Sequence, residues 1–142
     1  MDLEKLQEMA DKDLAINNTE LDLESLKTPQ LHNKYMKHYT KFKLMLTKAE
    51  TDYKQLKKDK WEYYTGKSDA SVYAQKPFDL KILRTDIDKY IEADEELIRG
   101  KQKCEYLSTC VDYLDKTIRQ ISNRTFTIKN AIDWQRFTSG AI

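Results

Sequence analysis

Glycine and proline are scarce, three and two in 142 residues. An all-β chain needs a turn every ten residues or so, and the residues that make such turns are missing. Cysteine and histidine number two each. His32 and His38 lie far from Cys104 and Cys110, so no zinc-ligand spacing exists and no metal is expected. The two cysteines fall on different faces of a helix and read as reduced, buried apolar residues. No run approaches the roughly 18 apolar residues of a membrane span, so no membrane partner is expected. Met1-Asp2-Leu3-Glu4-Lys5 has neither the basic nor the apolar region of a signal peptide, which points to a cytoplasm.

Catalytic constellations are also lacking. There is no nucleophile with a base and no pair of carboxylates in an apolar setting. The phosphate-cradling pattern G-x-x-x-x-G-K-[ST] is absent too. An enzyme is not expected, nor a cofactor, nor any catalytic residue.

What the chain does have is charge, 35% of its residues, distributed unevenly beneath a net charge of +1. Ten lysines stand between Lys34 and Lys67, against Glu50, Asp52, Asp59 and Glu62, a local balance of +6. The first 27 residues hold eight acids and three lysines, and Asp79–Glu96 is acidic again. A basic block between acidic flanks fits a local polyanion site; it fits equally a solvated helix face whose lysines pair with those flanks.

Apolar spacing is helical throughout. Leu3, Leu6, Met9, Ala10 and Leu14 mark a first helix. Thr19 with Asp22 suggests a capping box and a short second helix to about Lys27. Thr28-Pro29 reads as N-cap and first residue of a third helix, uninterrupted to Gly66. Its stripe is Leu31, Tyr35, Phe42, Leu46, Ala49, Tyr53 and Leu56. Gly66–Ser71 reads as a loop closed by Lys76-Pro77. Helical pattern then resumes, with a seven-residue series Leu83, Tyr90, Leu97, Cys104, Val111, Ile118, Thr125, Ile132 and a partner series Leu107, Leu114, Ile121, Ile128. Such repeats imply helices supercoiled on one another. Ala93, Asp94-Glu95-Glu96 and Gly100 mark a kink or break. Asn123-Arg124-Thr125-Phe126-Thr127, rich in poor helix formers, marks a second weak point. The expected fold is all-α, with long antiparallel helices and a separate C-terminal helix.

Two segments stand out. Lys54–Lys67 interleaves lysine with Trp61, Tyr63 and Tyr64 at a helix end. Lysine neutralises phosphates and aromatic faces stack on bases, the combination that single-stranded nucleic acid requires. At about 100° per residue, Lys60 continues the line of Phe42, Lys57 lies about 60° away and Lys58 nearly opposite. Core packing of Trp61 and Tyr64 with solvated lysines is the competing interpretation. In the last segment, Phe126, Ile128, Ala131, Ile132, Trp134 and Phe137 crowd together. That apolar area either folds back on the chain or joins copies of it.

These features resemble the UvsY-like recombination mediator family of T-even-type bacteriophages over nearly the whole length. The resemblance rests on Leu3, Leu6-Gln7-Glu8 and Lys12-Asp13, then on Leu31, Lys34, Lys43 and Glu50. It continues through Lys58, Lys60 and Tyr63-Tyr64-x-Gly66, and ends with Arg124-Thr125-Phe126-Thr127-Ile128-Lys129, Phe137 and Gly140. It implies a non-catalytic ring of six or seven copies joined through the C-terminal segment. Such a protein binds single-stranded DNA, weakens the hold of single-strand-binding protein and helps a RecA-class, UvsX-like recombinase load, in the cytoplasm of the infected bacterial host. The family's basic positions fall on Lys58 and Lys60, where lysine at 60 replaces the expected arginine and keeps charge without the bidentate fork. The loop after Gly66 departs from the family pattern. On this basis residues 1–123 form a DNA-binding domain using Lys57, Lys58, Lys60, Trp61, Tyr63, Tyr64 and Lys67. Residues 124–142 form an oligomerisation segment. A helical adaptor or assembly protein that binds only protein is the alternative.

Overall fold

Asp2 opens the chain's first helix by accepting a hydrogen bond from the Lys5 N–H at 2.9 Å through its side chain. The computed structural model describes residues 1–140, and among them there is no strand. Helix α1 spans Leu3–Asp13, α2 Leu21–Tyr64, α3 Ala70–Gln75, α4 Ile87–Ala93 and α5 Glu95–Ser139, with a 3-10 turn at Arg84–Asp86 before α4. At 1.5 Å per residue, the 44 residues of α2 and the 45 of α5 each reach about 65 Å.

The chain divides into two compact units, one from Met1–Phe42 with Thr109–Ile142, the other Lys43–Ser108. Each takes part of α2 and part of α5, and within each the two run antiparallel. In the first unit Arg124 bonds Glu24 and Gln135 bonds Asn18. In the second Lys60 meets Asp94, and Tyr53 meets Gly100. Later residues of one helix thus meet earlier residues of the other.

In the first unit, Leu6 and Ala10 share one face of α1 and are fully buried. Asp13 at the end of α1 accepts from the Tyr35 hydroxyl at 2.9 Å and from Lys34 Nζ at 2.7 Å. Asn17 then builds the turn into α2: its side chain accepts from the Thr19 N–H and hydroxyl, in place of the capping box expected of Thr19 and Asp22.

The expected break at Thr28-Pro29 is absent, and α2 passes through Pro29. A proline there removes one helical donor and crowds the Ser25 carbonyl. Arg124 meets this part of α2 from outside the helix. Its guanidinium donates to the Glu24 carbonyl and, at 3.0 Å, to Thr28 Oγ1. The local signature of a proline at a helix start is the same as that of a proline inside one.

The expected separate C-terminal helix is likewise absent: α5 is continuous through Asn123–Thr127 to Ser139. Poor helix formers cost a few tenths of a kcal/mol each, which the burial of Arg124 and Ile128 overrides. The buried residues of α5 are Leu97, Leu107, Cys110, Val111, Leu114, Thr117, Ile121, Arg124 and Ile128. The series 107, 114, 121, 128 lies where expected. Leu97 and Val111 of the other expected series are buried too, but beyond them the seam runs through 117 and 124, one residue before Ile118 and Thr125, because Thr117 and Arg124 occupy core positions.

In the second unit, Ile87, Ile91 and Leu97 form a buried cluster against which Tyr53, Leu56, Tyr64 and Ile82 pack. Gly100 lets Tyr53 approach: a Cβ there would sit 3.2 Å from the ring. Helical structure does not resume directly after Pro77, since residues 77–83 are non-helical. Ile82 anchors that stretch in the core cluster. The break expected near the acid cluster falls at Asp94, whose ψ of 122° ends α4.

Candidate nucleic-acid interface

Helix α2 ends on a glycine. Gly66, at φ 79°, turns the chain so that the Lys67 N–H donates to the Glu62 carbonyl at 2.8 Å and the Gly66 N–H to the Tyr63 carbonyl at 3.3 Å. Only a residue tolerant of positive φ closes a helix this way. The turn brings Lys67 back over Trp61, its ammonium 4.6 Å from the ring centroid. Trp61 itself is 42% exposed.

The two tyrosines have structural work. Tyr63 stacks on Tyr73 with centroids 5.5 Å apart, and its hydroxyl donates to the Lys76 carbonyl. The Tyr73 hydroxyl donates to the Tyr63 carbonyl at 2.8 Å and accepts from the Ser68 N–H. These contacts tie the loop and α3 to the end of α2. Tyr64 lies edge-on to Tyr63 and Phe78, with Tyr90 beside it. Its hydroxyl donates to Asp94 Oδ2 at 2.6 Å. Burial, then Asp94, push the Tyr64 hydroxyl above its ordinary pKa.

Asp94 is the hub. Its Oδ1 accepts from the Glu96 and Leu97 N–H groups and caps α5. Its Oδ2 takes the Tyr64 hydroxyl and lies 3.3 Å from Lys60 Nζ. Burial pushes the Asp94 carboxyl up, but Tyr64, the Leu97 N–H and Lys60 together hold it below the usual carboxylate range. Glu96 also sits below that range, held by Lys76 first and Lys60 next. Lys60 therefore has two carboxylate neighbours, at 3.3 and 3.4 Å, and its side chain is only 15% exposed. The sequence placed it on the apolar stripe; its acidic partners came from the Asp94-Glu95-Glu96 cluster, read there as a break point.

Lys58 is the opposite case: its side chain is 74% exposed, with a loose 3.9 Å pair to Glu62. Such a pair adds little energy and yields readily to a phosphate. Lys34 joins the acidic flank through Asp13. Lys37, Lys41, Lys43, Lys48, Lys54, Lys57 and Lys67 make no ion pair among the described residues. The basic block thus uses its flanks at Lys34 and Lys60 and leaves most of its charge to solvent. His38 stands between Lys34 and Lys41; burial, then those two charges, keep its imidazole below its ordinary pKa.

The C-terminal residues separate into two groups. Ile128 is buried, and Ala131 and Ile132 are half-buried. Phe126, Trp134 and Phe137 are 66%, 65% and 63% exposed, and Trp134 stacks on Phe137 with centroids 5.7 Å apart. Residues 141 and 142 of the expected segment lie outside the described residues.

Sequence reasoning missed one set of residues. Lys81 and Arg84, with Leu80, lie beside Trp61 and Lys67 along one groove of the second unit. The alternation of basic and apolar residues after Pro77 was the available signal. Among the described residues, no cluster of three or more metal-ligating side chains occurs, and no helix is long and apolar enough to cross a membrane.

The chain is similar to the recombination protein uvsY of Enterobacteria phage T4, 25% identical over 140 residues that cover 99% of each. Its fold matches crystal structures of the bacteriophage T4 recombination mediator protein UvsY. One gives a TM-score of 0.85 at 24% identity, covering 98% of both chains. Another, from a different lattice, gives 0.82 at 23% identity, covering 97% of this chain and 99% of that one. Residues 9–141 match the family described as "Recombination, repair and ssDNA binding protein UvsY", and the chain belongs to that family.

Proposed function

We propose that this protein is a non-enzymatic recombination mediator. It binds single-stranded DNA as a homo-oligomer of six or seven copies, helps displace single-strand-binding protein and loads a RecA-class recombinase in the cytoplasm of the infected bacterial host. The observation that carries this reading is the end of α2. Solvated Lys57 and Lys58 adjoin the exposed indole of Trp61, over which Lys67 sets its ammonium, in a member of a single-stranded-DNA-binding family. The lysines neutralise phosphate and release counterions, and Trp61 offers a face to a base. Tyr63 and Tyr64 hold the surface in shape. Lys60, balanced by Asp94 and Glu96, serves the site by fixing the end of α2 rather than by offering free charge.

One copy makes few phosphate contacts. Several copies on one strand multiply them through effective concentration. Phe126, Trp134 and Phe137 are an exposed aromatic group of the kind that covers itself by self-association.

Titration of labelled oligo-dT by fluorescence anisotropy across a salt series tests the binding. Affinity should fall steeply with salt, and Lys57→Ala with Lys58→Ala should reduce both affinity and slope. A chain that ignores oligo-dT at low salt but retains protein partners is an adaptor instead. Light scattering tests assembly: Phe126→Ser, Trp134→Ser and Phe137→Ser together should give monomers. Point changes are preferable to deleting residues 124–142, which would also remove the buried Arg124 and Ile128.

A further inference from the structure

The groove beside the end of α2 has a composition that the lysines of the helix do not explain. It is lined by Trp61, Lys67, Phe78, Leu80, Lys81 and Arg84. Phe78 sits among the rings of Tyr63 and Tyr64, with centroids 5.3 Å away, and Ile82 is anchored in the core cluster. The stretch between these anchors is held at both ends, yet Leu80 is 63% exposed and Lys81 is exposed as well. Lys67, Lys81 and Arg84 make no ion pair among the described residues, and the lining contains one carboxylate, Asp79. Across the same helix end, Lys60 and Lys76 are already engaged by Asp94 and Glu96.

We infer that this groove is a slot for bases of single-stranded DNA, in which Trp61 stacks a base while Lys67, Lys81 and Arg84 hold the adjoining phosphates. The inference rests on the single-strand binding proposed above and adds Lys81 and Arg84 to it. Aromatic and aliphatic surface has no use for a bare phosphate, and unpaired cations on both sides of it do not suit an apolar peptide. A strand of bases on a phosphate backbone answers both. In the free protein Lys67 covers the indole. A base that stacks on Trp61 takes that place, and the flexible lysine swings its ammonium to the neighbouring phosphate. Stacking is indifferent to base identity, as a protein that travels on any sequence requires.

The test uses the full chain beside its Trp61→Phe variant, so that the fluorescence the two do not share is that of Trp61. Oligo-dT should quench its fluorescence, whereas an abasic oligodeoxynucleotide of equal length should bind without comparable quenching. Lys81→Ala with Arg84→Ala should weaken oligo-dT binding on the order of tenfold at about 0.1 M salt. It should also lower the slope of log affinity against log salt by about 1.4 per engaged subunit. Trp61→Ala should weaken oligo-dT binding by a similar factor and leave abasic binding unchanged. Equal quenching by both oligonucleotides, or unchanged affinity and slope in the double variant, overturns the slot while oligo-dT binding by the parent chain stands. Failure of the parent chain to bind oligo-dT overturns the slot and the single-strand binding together.

Discussion

Arg124 and Glu24, a hundred positions apart in the chain, form an ion pair with their side chains only 3% and 4% exposed. The same guanidinium reaches the Glu24 carbonyl and Oγ1 of Thr28, the residue before Pro29. One side chain thus occupies a core position of α5 and braces the proline turn of α2. Removing one partner of a buried pair strands the other. Arg124→Met should cost about 3 kcal/mol, read as a fall in the urea midpoint. Glu24→Leu added to it should recover more than half of the loss. A single variant as stable as the parent would mean that the pair braces nothing.

Acid should loosen the fold. The Lys27 hydrogen bond first, and Arg124 with it, hold Glu24 below its ordinary 4.5; Asp94 lies below its ordinary 3.8 and Glu96 below 4.5. A carboxyl whose folded pKa is lowered takes up its proton more readily once unfolded. Its stabilisation is complete above the ordinary carboxylate range and is lost as pH falls through that range toward the folded values. Melting temperature should therefore hold near neutrality and drop from about pH 5 downward. Asp94→Asn keeps the backbone hydrogen bonds through its oxygen, turns the Tyr64 contact round so that the amide donates to the hydroxyl, and carries no charge, so its melting curve against pH should be flatter.

Lys58 and Lys60 should separate under mutation. Lys60→Ala leaves Asp94 and Glu96 short of a cation and should cost about 1–2 kcal/mol of stability. Lys58→Ala should cost less than about 0.5 kcal/mol, because its one pair among the described residues is exposed and long. In DNA titrations the order reverses: Lys58→Ala should lower the salt slope more than Lys60→Met. Identical stability and slope effects would show that the ion network does not distinguish them.

Gly100 trades helix propensity for a ring. Alanine there gains about 1 kcal/mol of propensity, but its Cβ meets Tyr53 Cδ2 at 3.2 Å. The half-buried ring can shift by a few tenths of an ångström, so Gly100→Ala should melt within a few degrees of the parent. Gly100→Leu cannot be accommodated by so small a shift and should lower the melting temperature by more than about 5 °C. A leucine variant as stable as the parent would show that Tyr53 does not depend on the gap.

The long helices were legible because the signal for them is local and repeated. The stripe from Leu31 to Leu56 faces inward as its spacing implies, and only Gly66 interrupts the chain between Pro29 and Pro77. Pro29 was not legible, because a proline at a helix start and one inside a helix look alike locally. The end of α5 was not, because it depends on Arg124 making contacts a hundred residues away. The buried seam was half legible: Leu114 and Ile121 announce themselves, while Thr117 and Arg124 carry surface chemistry into the core. For the site, exposed Lys58 follows from the helical wheel, while the exposure of Trp61 is one of two readings that the pattern leaves open. The engagement of Lys60 by Asp94 does not follow, since no spacing rule links position 60 to position 94. Lys81 and Arg84 went unnoticed because residues 77–83 were read with helical spacing, which scatters side chains that the extended stretch gathers.

Open space surrounds the α-carbon of Gly66. The objection to a side chain there is one of handedness, not of room. A D-alanine built into the chain by semisynthesis would sit at φ 79° without strain, where L-alanine would not. The direction in which the backbone leaves α2, and with it the landing of an ammonium on an indole, is governed by mirror-image sense at a single carbon.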